Sequence, residues 1–410
     1  MDGSENEDQR TQRPAAEDAA LLEENLRLID DRSDRVVNYF YASLFAENPE
    51  LRLLFPAAMD AQRDRLFRAL VDAVRNIGQT AAFAPTLTQL GRDHRKYGVQ
   101  TEHYASFGQA LITALEHFSE DVWVPELQDA WVRAYGYIAS TMIEGAEQAA
   151  ASEPAWWQAE VVAHDRRAED IAVITVRPDQ PYGYRAGQFA SIETPYRPRS
   201  WRRYSMASAE GHEGLVEFHV RTVGAGFVSG PLVWRARVGD VFKLGAPMGE
   251  LGIDKQSQRD VLCIAGGTGL APIKAMIEEM TLWNTARTVT VFFGVRRAGD
   301  LYDLAAMHSI QAVHPWLTVI PCVSDDPTFI GERGTLPDVV ARHGSWADHD
   351  VFLCGSPEMM RATLARLREI GVPDARIHSD LADDPHPATA QVIDLRRSRA
   401  KRATQSLPRR

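Results

Sequence analysis

His94 closes the run Pro85-Thr-Leu-Thr-Gln-Leu-Gly-Arg-Asp-His94, whose helical stripe passes through Leu87 and Leu90, so an imidazole projects from an apolar face. A neutral imidazole in that setting can ligate iron. A lone histidine of this kind more often hydrogen-bonds a nearby carbonyl, and its company decides between the two. Val37, Tyr41 and Leu44-Phe45 share one face of an earlier helix, and Gln62, Leu66, Leu70 and Ile77 share a stripe of another. These place a phenol and an amide in apolar surroundings, where both need a polar partner; a diatomic gas carrying partial negative charge would be one.

A second group of residues suits phosphates. Gly224-Ala-Gly226-Phe-Val-Ser229 offers backbone N–H groups and a hydroxyl at a helix start, and Gly266-Gly267-Thr268-Gly269-Leu-Ala-Pro272 comes directly after a buried strand and opens a helix. Another apolar strand ends in Cys354-Gly355. Such glycines let the backbone approach a cofactor closely.

The elements that must position these groups fall into three textures. From Leu21 to Glu147 apolar residues recur at helical spacing, punctuated by Pro49, Pro56, Pro85 and Pro125, which predicts an all-α domain over 19–150. Short β-rich runs (Ile171–Val176, Gln188–Ile192, Leu215–Val220) separated by Gly and Pro predict an antiparallel β-barrel over 155–256. Over 257–385 the runs Val261–Ala265, Thr288–Phe293, Leu317–Cys322 and Val351–Cys354 alternate with helical stretches, the pattern of an α/β domain with a parallel sheet. Residues 1–18 are polar and acidic and 386–410 basic and apolar-poor, so both are expected to be disordered arms.

A chain of 410 residues suits two or three such cores. A net charge of −11 argues against nucleic acid as a partner, and no apolar run reaches the roughly 20 residues of a membrane span. Cys263, Cys322 and Cys354 each sit in an apolar strand run without metal-binding spacing, so reduced, buried thiols are expected. With no secretory signal pattern, a cytoplasmic monomer is the expectation.

The helical part resembles the globin half of flavohaemoglobins. Asn38-Tyr-Phe-Tyr41-Ala-Ser-Leu-Phe45-Ala-Glu-Asn-Pro-Glu-Leu51, closing at Phe55, is similar to that family's B helix and corner. The resemblance implies haem b with His94 as its proximal ligand, Phe55 packed on the porphyrin, and Tyr41 and Gln62 above the bound gas. Tyr104 falls at the family's proximal-side tyrosine, and Ala130-Trp-Val-Arg-Ala-Tyr135-Gly resembles its last helix. Arg202-Arg-Tyr204-Ser205, with Gln188 upstream and the two glycine clusters downstream, resembles the ferredoxin-NADP reductase superfamily. That implies FAD held by Arg202 at the pyrophosphate, Tyr204 against the ring and Ser205 near the reactive nitrogen, with Gln188, Gly224, Gly226 and Ser229 in support. NADH or NADPH would then lie over Gly266, Gly267, Thr268, Gly269 and Pro272, beside Cys354 and Gly355. Arg296 and Arg297 could pair with a 2'-phosphate, whereas Ser324-Asp325-Asp326 would repel one, which favours NADH.

Together the halves imply electrons passing from NAD(P)H through FAD to haem, and nitric oxide oxidised to nitrate with dioxygen. Three positions depart from the family: Ala146 stands where a glutamate bonds the proximal histidine, with Glu144 and Glu147 nearby; Asp93 replaces a lysine before that histidine; and the stretch Ile377–Ala382 lacks the aromatic that shields the flavin. These keep alternatives open: a flavohaem oxidoreductase with another donor or an oxidative-stress role, a haem-based gas or redox sensor, and a reductase whose helices bind no haem.

Overall fold

The computed structural model describes residues 16–379 apart from Ala58, His212 and Ala225. The basic tail, Ala382 and most of the acidic arm therefore lie outside the described residues. The arm expected over 1–18 stops short of its predicted end: Ala16–Asp18 already belong to helix α1 (Ala16–Ile29). The reason is that Asp18 is buried and takes two hydrogen bonds from Arg133, the shorter at 2.7 Å. A polar residue with such a partner orders where composition alone says otherwise.

The chain forms two compact units, one comprising the residues up to 157 with 193–201 and 243–246, the other the remainder. The first is built on α1 and on α2 (Ser33–Glu47), α3 (Asp60–Ile77), α4 (Thr80–His94), α5 (His103–Phe118) and α6 (Pro125–Ala150). On α2 the side chains of Val36, Val37, Phe40, Tyr41 and Leu44 are buried, one face at the i, i+4 repeat. Trp131 of α6 fills the centre, its indole N–H donating to Asn25, whose amide donates in turn to Ser119.

Two glycines fix how α4 lies on α6. A Cβ at Gly91 would fall 1.9 Å from the Met142 carbonyl oxygen and one at Gly145 2.4 Å from that of Thr88, so the two backbones touch and α4 has one rotation about its axis. That rotation aims His94. Pro49 and Pro125 start their helical turns, as expected of residues that lack an N–H. Pro85 does not: it lies inside α4, which begins five residues earlier. Packing on α6 holds the helix through the missing hydrogen bond, a tertiary override of a local breaker.

The second unit contains most of a six-stranded sheet of β1 (Trp157–Ala168), β2 (Ile171–Pro178), β3 (Phe189–Glu193), β4 (Arg202–Ser205), β5 (Val216–Arg221) and β6 (Val241–Leu244), in the order β4-β3-β6-β1-β2-β5. The pairs β1–β2, β2–β5 and β3–β4 are antiparallel. The ends meet where Met206 bridges Phe218 and the Ala207 N–H donates to the Glu217 carbonyl at 2.7 Å, closing the barrel. A short helix, α7 (Ser229–Trp234), follows β5.

The rest of this unit is a parallel sheet, β10-β9-β8-β7-β11-β12, comprising β7 (Val261–Gly266), β8 (Val289–Val295), β9 (Leu317–Val323), β10 (Glu332–Arg333), β11 (Asp350–Cys354) and β12 (Ile377–Ser379). Helices α8 (Leu270–Thr281), α9 (Leu304–Val313), α10 (Leu336–Arg342) and α11 (Pro357–Glu369) make the crossovers. β11 is buried along its whole length, which is why its sequence reads as a continuous apolar run. All three cysteines are free and buried in these strands, as expected. Among the described residues no helix is long and apolar enough to cross a membrane.

Candidate functional site

Tyr41 is 4% exposed and sits in a ring of aromatic side chains, with Phe45 and Phe55 at centroid distances of 5.7 and 5.5 Å and Phe107 packed behind Phe55. Burial pushes its phenol up to about 12; a hydrogen bond with Gln62 and the charge of Arg63 oppose this but do not cancel it. The structure thus joins the two residues that the sequence placed on separate helices. A cleft of about 460 Å³, lined by Asn38, Tyr41, Phe45, Arg52, Met59 and Arg63 among others, opens beside them. Arg63 had no place in the sequence reading, although its position directly after Gln62 was the available signal.

The His94 Nδ1 lies 2.7 Å from the Leu90 carbonyl oxygen and donates to it. The carbonyl bond expected of a lone histidine is present; it fixes the tautomer and leaves the Nε2 lone pair for a metal. Burial also pushes the imidazole below its usual range, against the Leu90 bond and the charge of Asp93, which keeps it neutral as a ligand must be. Glu144 and Glu147 are exposed, and no hydrogen bond joins either to His94 among the described residues, so neither replaces the carboxylate missing at Ala146. Tyr104 keeps a buried hydroxyl without a hydrogen-bond partner, its phenol pushed up to about 12 by burial. Asp93 is buried in an ion pair with Lys96, one helical turn on. The family's lysine before the proximal histidine is thus replaced here by an aspartate that neutralises the nearby Lys96. Haem fits this set of residues, with one free imidazole nitrogen, a neutral phenol donor and an aromatic cage.

In the second unit Arg202, Tyr204 and Ser205 share β4, and burial pushes the Tyr204 phenol up to about 12, with the Arg202 charge opposing. Gln188 lies just before β3, where its amide accepts from the Arg185 N–H at 2.9 Å and donates to the Gly249 carbonyl at 3.0 Å, bracing the turn. Gly224 and Gly226 have φ of 57° and 62°, and the Ser229 hydroxyl at the start of α7 accepts the Val223 N–H at 3.1 Å. The Gly226 N–H donates to the Val223 carbonyl at 3.0 Å, so the left-handed glycines close a tight turn ahead of α7.

The parallel sheet reverses its winding at β7, whose neighbours are β8 and β11. A crevice beyond strand ends at such a reversal is where open α/β sheets take ligands. Gly266 ends β7 there and Gly267, Thr268 and Gly269 follow it, while Cys354 ends β11 and Gly355 follows. A Cβ at Gly269 would stand 2.3 Å from the Cys354 carbonyl oxygen, and Gly267 has φ of 56°, so the start of α8 meets the end of β11 backbone to backbone, while the Met359 methyl packs against Gly266 and Gly355. Pro272 is buried in the first turn of α8. This backbone cradle fits a dinucleotide, as the barrel loops fit FAD.

Sequence reasoning missed a buried polar cluster within this unit. The His219 Nδ1 is 2.7 Å from the Tyr302 hydroxyl and its Nε2 3.0 Å from Glu217, which also pairs with Lys274 of α8. Despite burial, those two bonds and the Lys274 charge hold the Glu217 carboxyl at about 2. Glu217, His219 and Asp303 converge closely enough to hold a metal, but Lys274 and Arg167 already balance the carboxylates. The cluster ties β5 to α8, and only its scattered positions in sequence hid it.

Comparison with known proteins gives three family matches: Globin over residues 38–142, Oxidoreductase FAD-binding domain over 158–253 and Oxidoreductase NAD-binding domain over 263–365. The flavohemoprotein of Bordetella parapertussis is 28% identical over 392 residues, covering 88% of this chain and 96% of that one. The ferredoxin–NAD(P)+ reductase component of a Pseudomonas putida naphthalene 1,2-dioxygenase system is 32% identical over 222 residues, 54% of this chain and 67% of that one. Among solved structures, the flavohemoglobin of Malassezia yamatoensis with bound FAD and heme superposes with a TM-score of 0.71 at 18% identity, over 89% of this chain and 98% of that one.

Proposed function

The chain belongs to the flavohaemoglobin family, haem-, FAD- and NAD-dependent oxidoreductases, and from that premise we propose that it oxidises nitric oxide to nitrate with dioxygen at the expense of NADH. When bound, haem supplies an iron that takes diatomic gases and single electrons, and FAD divides the two electrons of a hydride into single ones. The observation that carries the reading is the neutral Tyr41 hydroxyl, bonded to Gln62 and held dry, in the same helical unit as the free Nε2 of His94.

Each residue has a stated task. Tyr41 donates a hydrogen bond to a gas that gains negative charge, and Gln62 fixes the direction of that donor. Phe45 and Phe55 exclude water. His94 offers Nε2 while Leu90 holds its other proton. In the reductase region Arg202 pairs with a pyrophosphate, Tyr204 covers a flat ring and Ser205 offers a hydroxyl. Gly224 and the glycines of 266–269 present main-chain N–H groups to phosphates.

NADH is proposed over NADPH because of charge at the ends of β8 and β9. The Asp325 N–H donates to the Arg296 carbonyl at 2.8 Å, which lays the Ser324-Asp325-Asp326 loop alongside Arg296 and Arg297. Two hydrogen bonds from Thr328 hold the Asp326 carboxyl below its usual range, so a negative charge persists where a 2'-phosphate would have to approach. The test is anaerobic reduction of the purified protein with NADH, followed by dioxygen and nitric oxide, with nitrate assayed against NADH consumed. Catalytic nitrate supports the reading; flavin and haem reduction with no nitrate overturns it.

A further inference from the structure

The loop 193–201 belongs to the same compact unit as the helices, and it touches them at two places that matter for the haem site. At its far end Trp201, 6% exposed, lies edge-on to Tyr97 with ring centroids 6.3 Å apart, and Tyr97 in turn lies edge-on to His94 at 5.7 Å. Lys96, buried and paired with Asp93, places its ammonium 5.5 Å from the Trp201 ring and 5.0 Å from that of Tyr97. Two residues earlier Arg199 donates to the Leu53 carbonyl at 2.8 Å, two residues before Phe55. Arg199 has φ of 62°, a left-handed conformation that a residue with a Cβ adopts only when its surroundings impose it.

These contacts share one consequence. The turn Arg95–Tyr97, which follows the haem ligand directly and ends at left-handed Gly98, is held from outside the helices by the Trp201 indole, against which the turn's own Lys96 ammonium and Tyr97 ring pack. Trp201 is joined by a single peptide bond to Arg202, the first residue of β4 and the arginine assigned to the flavin pyrophosphate. The indole thus limits where the His94 turn can sit, and the left-handed Arg199, tied to the Leu53 carbonyl, leaves the loop that carries the indole little freedom to move away.

We propose that Trp201 is a positioning residue for the haem ligand, fixing the turn that follows His94 and thereby setting the passage of single electrons onto the haem iron. Each passage takes one electron from flavin reduced by NADH and gives it to ferric iron, which becomes ferrous. The proposal rests on the oxidoreductase reading above. Lys96 serves as the cation beside both rings, and Trp201 itself is neither oxidised nor reduced.

The experiment uses the full-length holoprotein with Trp201→Ala and Trp201→Phe. In anaerobic stopped flow, flavin bleaching by NADH should stay within about twofold of wild type in both, while haem reduction slows about tenfold or more in Trp201→Ala, as displacement of a positioned group does, and recovers in Trp201→Phe. Amide deuterium exchange gives a second readout: residues 95–98 should exchange faster in Trp201→Ala and like wild type in Trp201→Phe, with α6 unchanged. Haem reduction as fast as wild type in Trp201→Ala overturns the proposal, as does a Phe variant no better than Ala, or faster exchange spread evenly over the helices. If wild type passes no electrons to haem although its flavin is reduced, the functional reading fails instead. The exchange at 95–98 then still decides whether Trp201 positions the His94 turn.

Discussion

Around Tyr41 the polar groups satisfy one another: the phenol bonds Gln62, and rings of Phe45, Phe55 and Phe107 keep water away. Around His94 the imidazole has a main-chain carbonyl as its partner, Ala146 offers nothing to bond, and Tyr104 buries a hydroxyl that bonds nothing. On the function proposed above, the side around Tyr41 would hold a ligand that gains negative charge. The side around His94 would push electron density weakly onto a metal, since a carbonyl raises imidazole basicity less than a carboxylate does. The contrast teaches that one haem pocket can hold strongly and push weakly.

The hardest way to break the contrast is to remove its one indispensable atom. His94→Ala should abolish haem binding outright, read as the absence of a Soret band after reconstitution while flavin absorbance persists. A retained Soret band of normal position would mean that another residue ligates the iron.

Tyr41→Phe comes next. It should raise the dioxygen dissociation rate by about 10² to 10³, the usual loss when one donor is taken from a dry site, and flash photolysis or stopped flow would measure it. The raised pKa of about 12 adds a pH test with a definite sign. A phenol whose pKa is raised from 10 keeps its proton, so the donor persists through pH 10 and is lost only near pH 12. Dissociation should be flat from pH 6 to 10. A rise centred near pH 10 would show that the phenol is solvated.

How far the sequence foretold this contrast depends on what kind of atom does the work. Gly266–Gly269 and the strands around it were legible because backbone chemistry leaves a local mark, glycine at a strand end. Tyr41 and Gln62, which the structure joins by a hydrogen bond, could be singled out only as a set with His94, since each has a commoner structural explanation alone. Lys96 was missed though its i+3 spacing from Asp93 was in plain view, because a charge on a helix normally faces solvent. Trp201, Arg63 and the His219 cluster were missed for a plainer reason: their partners come from remote segments, and no periodicity encodes that. Pro85 and Asp18 were misjudged because tertiary partners outweighed local propensity.

Ala146→Glu should blur the contrast from the weak side. A carboxylate four residues on from Met142, whose carbonyl lies against Gly91 of α4, would compete with Leu90 for the His94 Nδ1 proton. Peroxide-driven oxidation of a dye should rise about tenfold, the lower end of what such outer partners contribute. The iron–histidine stretching frequency of the ferrous protein should rise with it. If neither moves, the carbonyl-bonded imidazole is not what limits the push.

Tyr104→Phe should do least, and that is its value. A buried hydroxyl without a partner costs about 1–3 kcal/mol of desolvation. Deleting it should leave nitrate turnover within about twofold and raise stability by about 1 kcal/mol in a urea titration followed by helical signal. The main-chain carbonyl of Tyr104, which accepts the Tyr135 hydroxyl at 2.6 Å, survives the change, so the packing of α5 on α6 gives no opposing loss. A fall in stability, or a tenfold loss of turnover, would mean that the Tyr104 hydroxyl has a partner in the haem-loaded protein. The side around His94 would then be as fully bonded as the side around Tyr41, and the weak push assigned to it would have to come from somewhere other than missing hydrogen bonds.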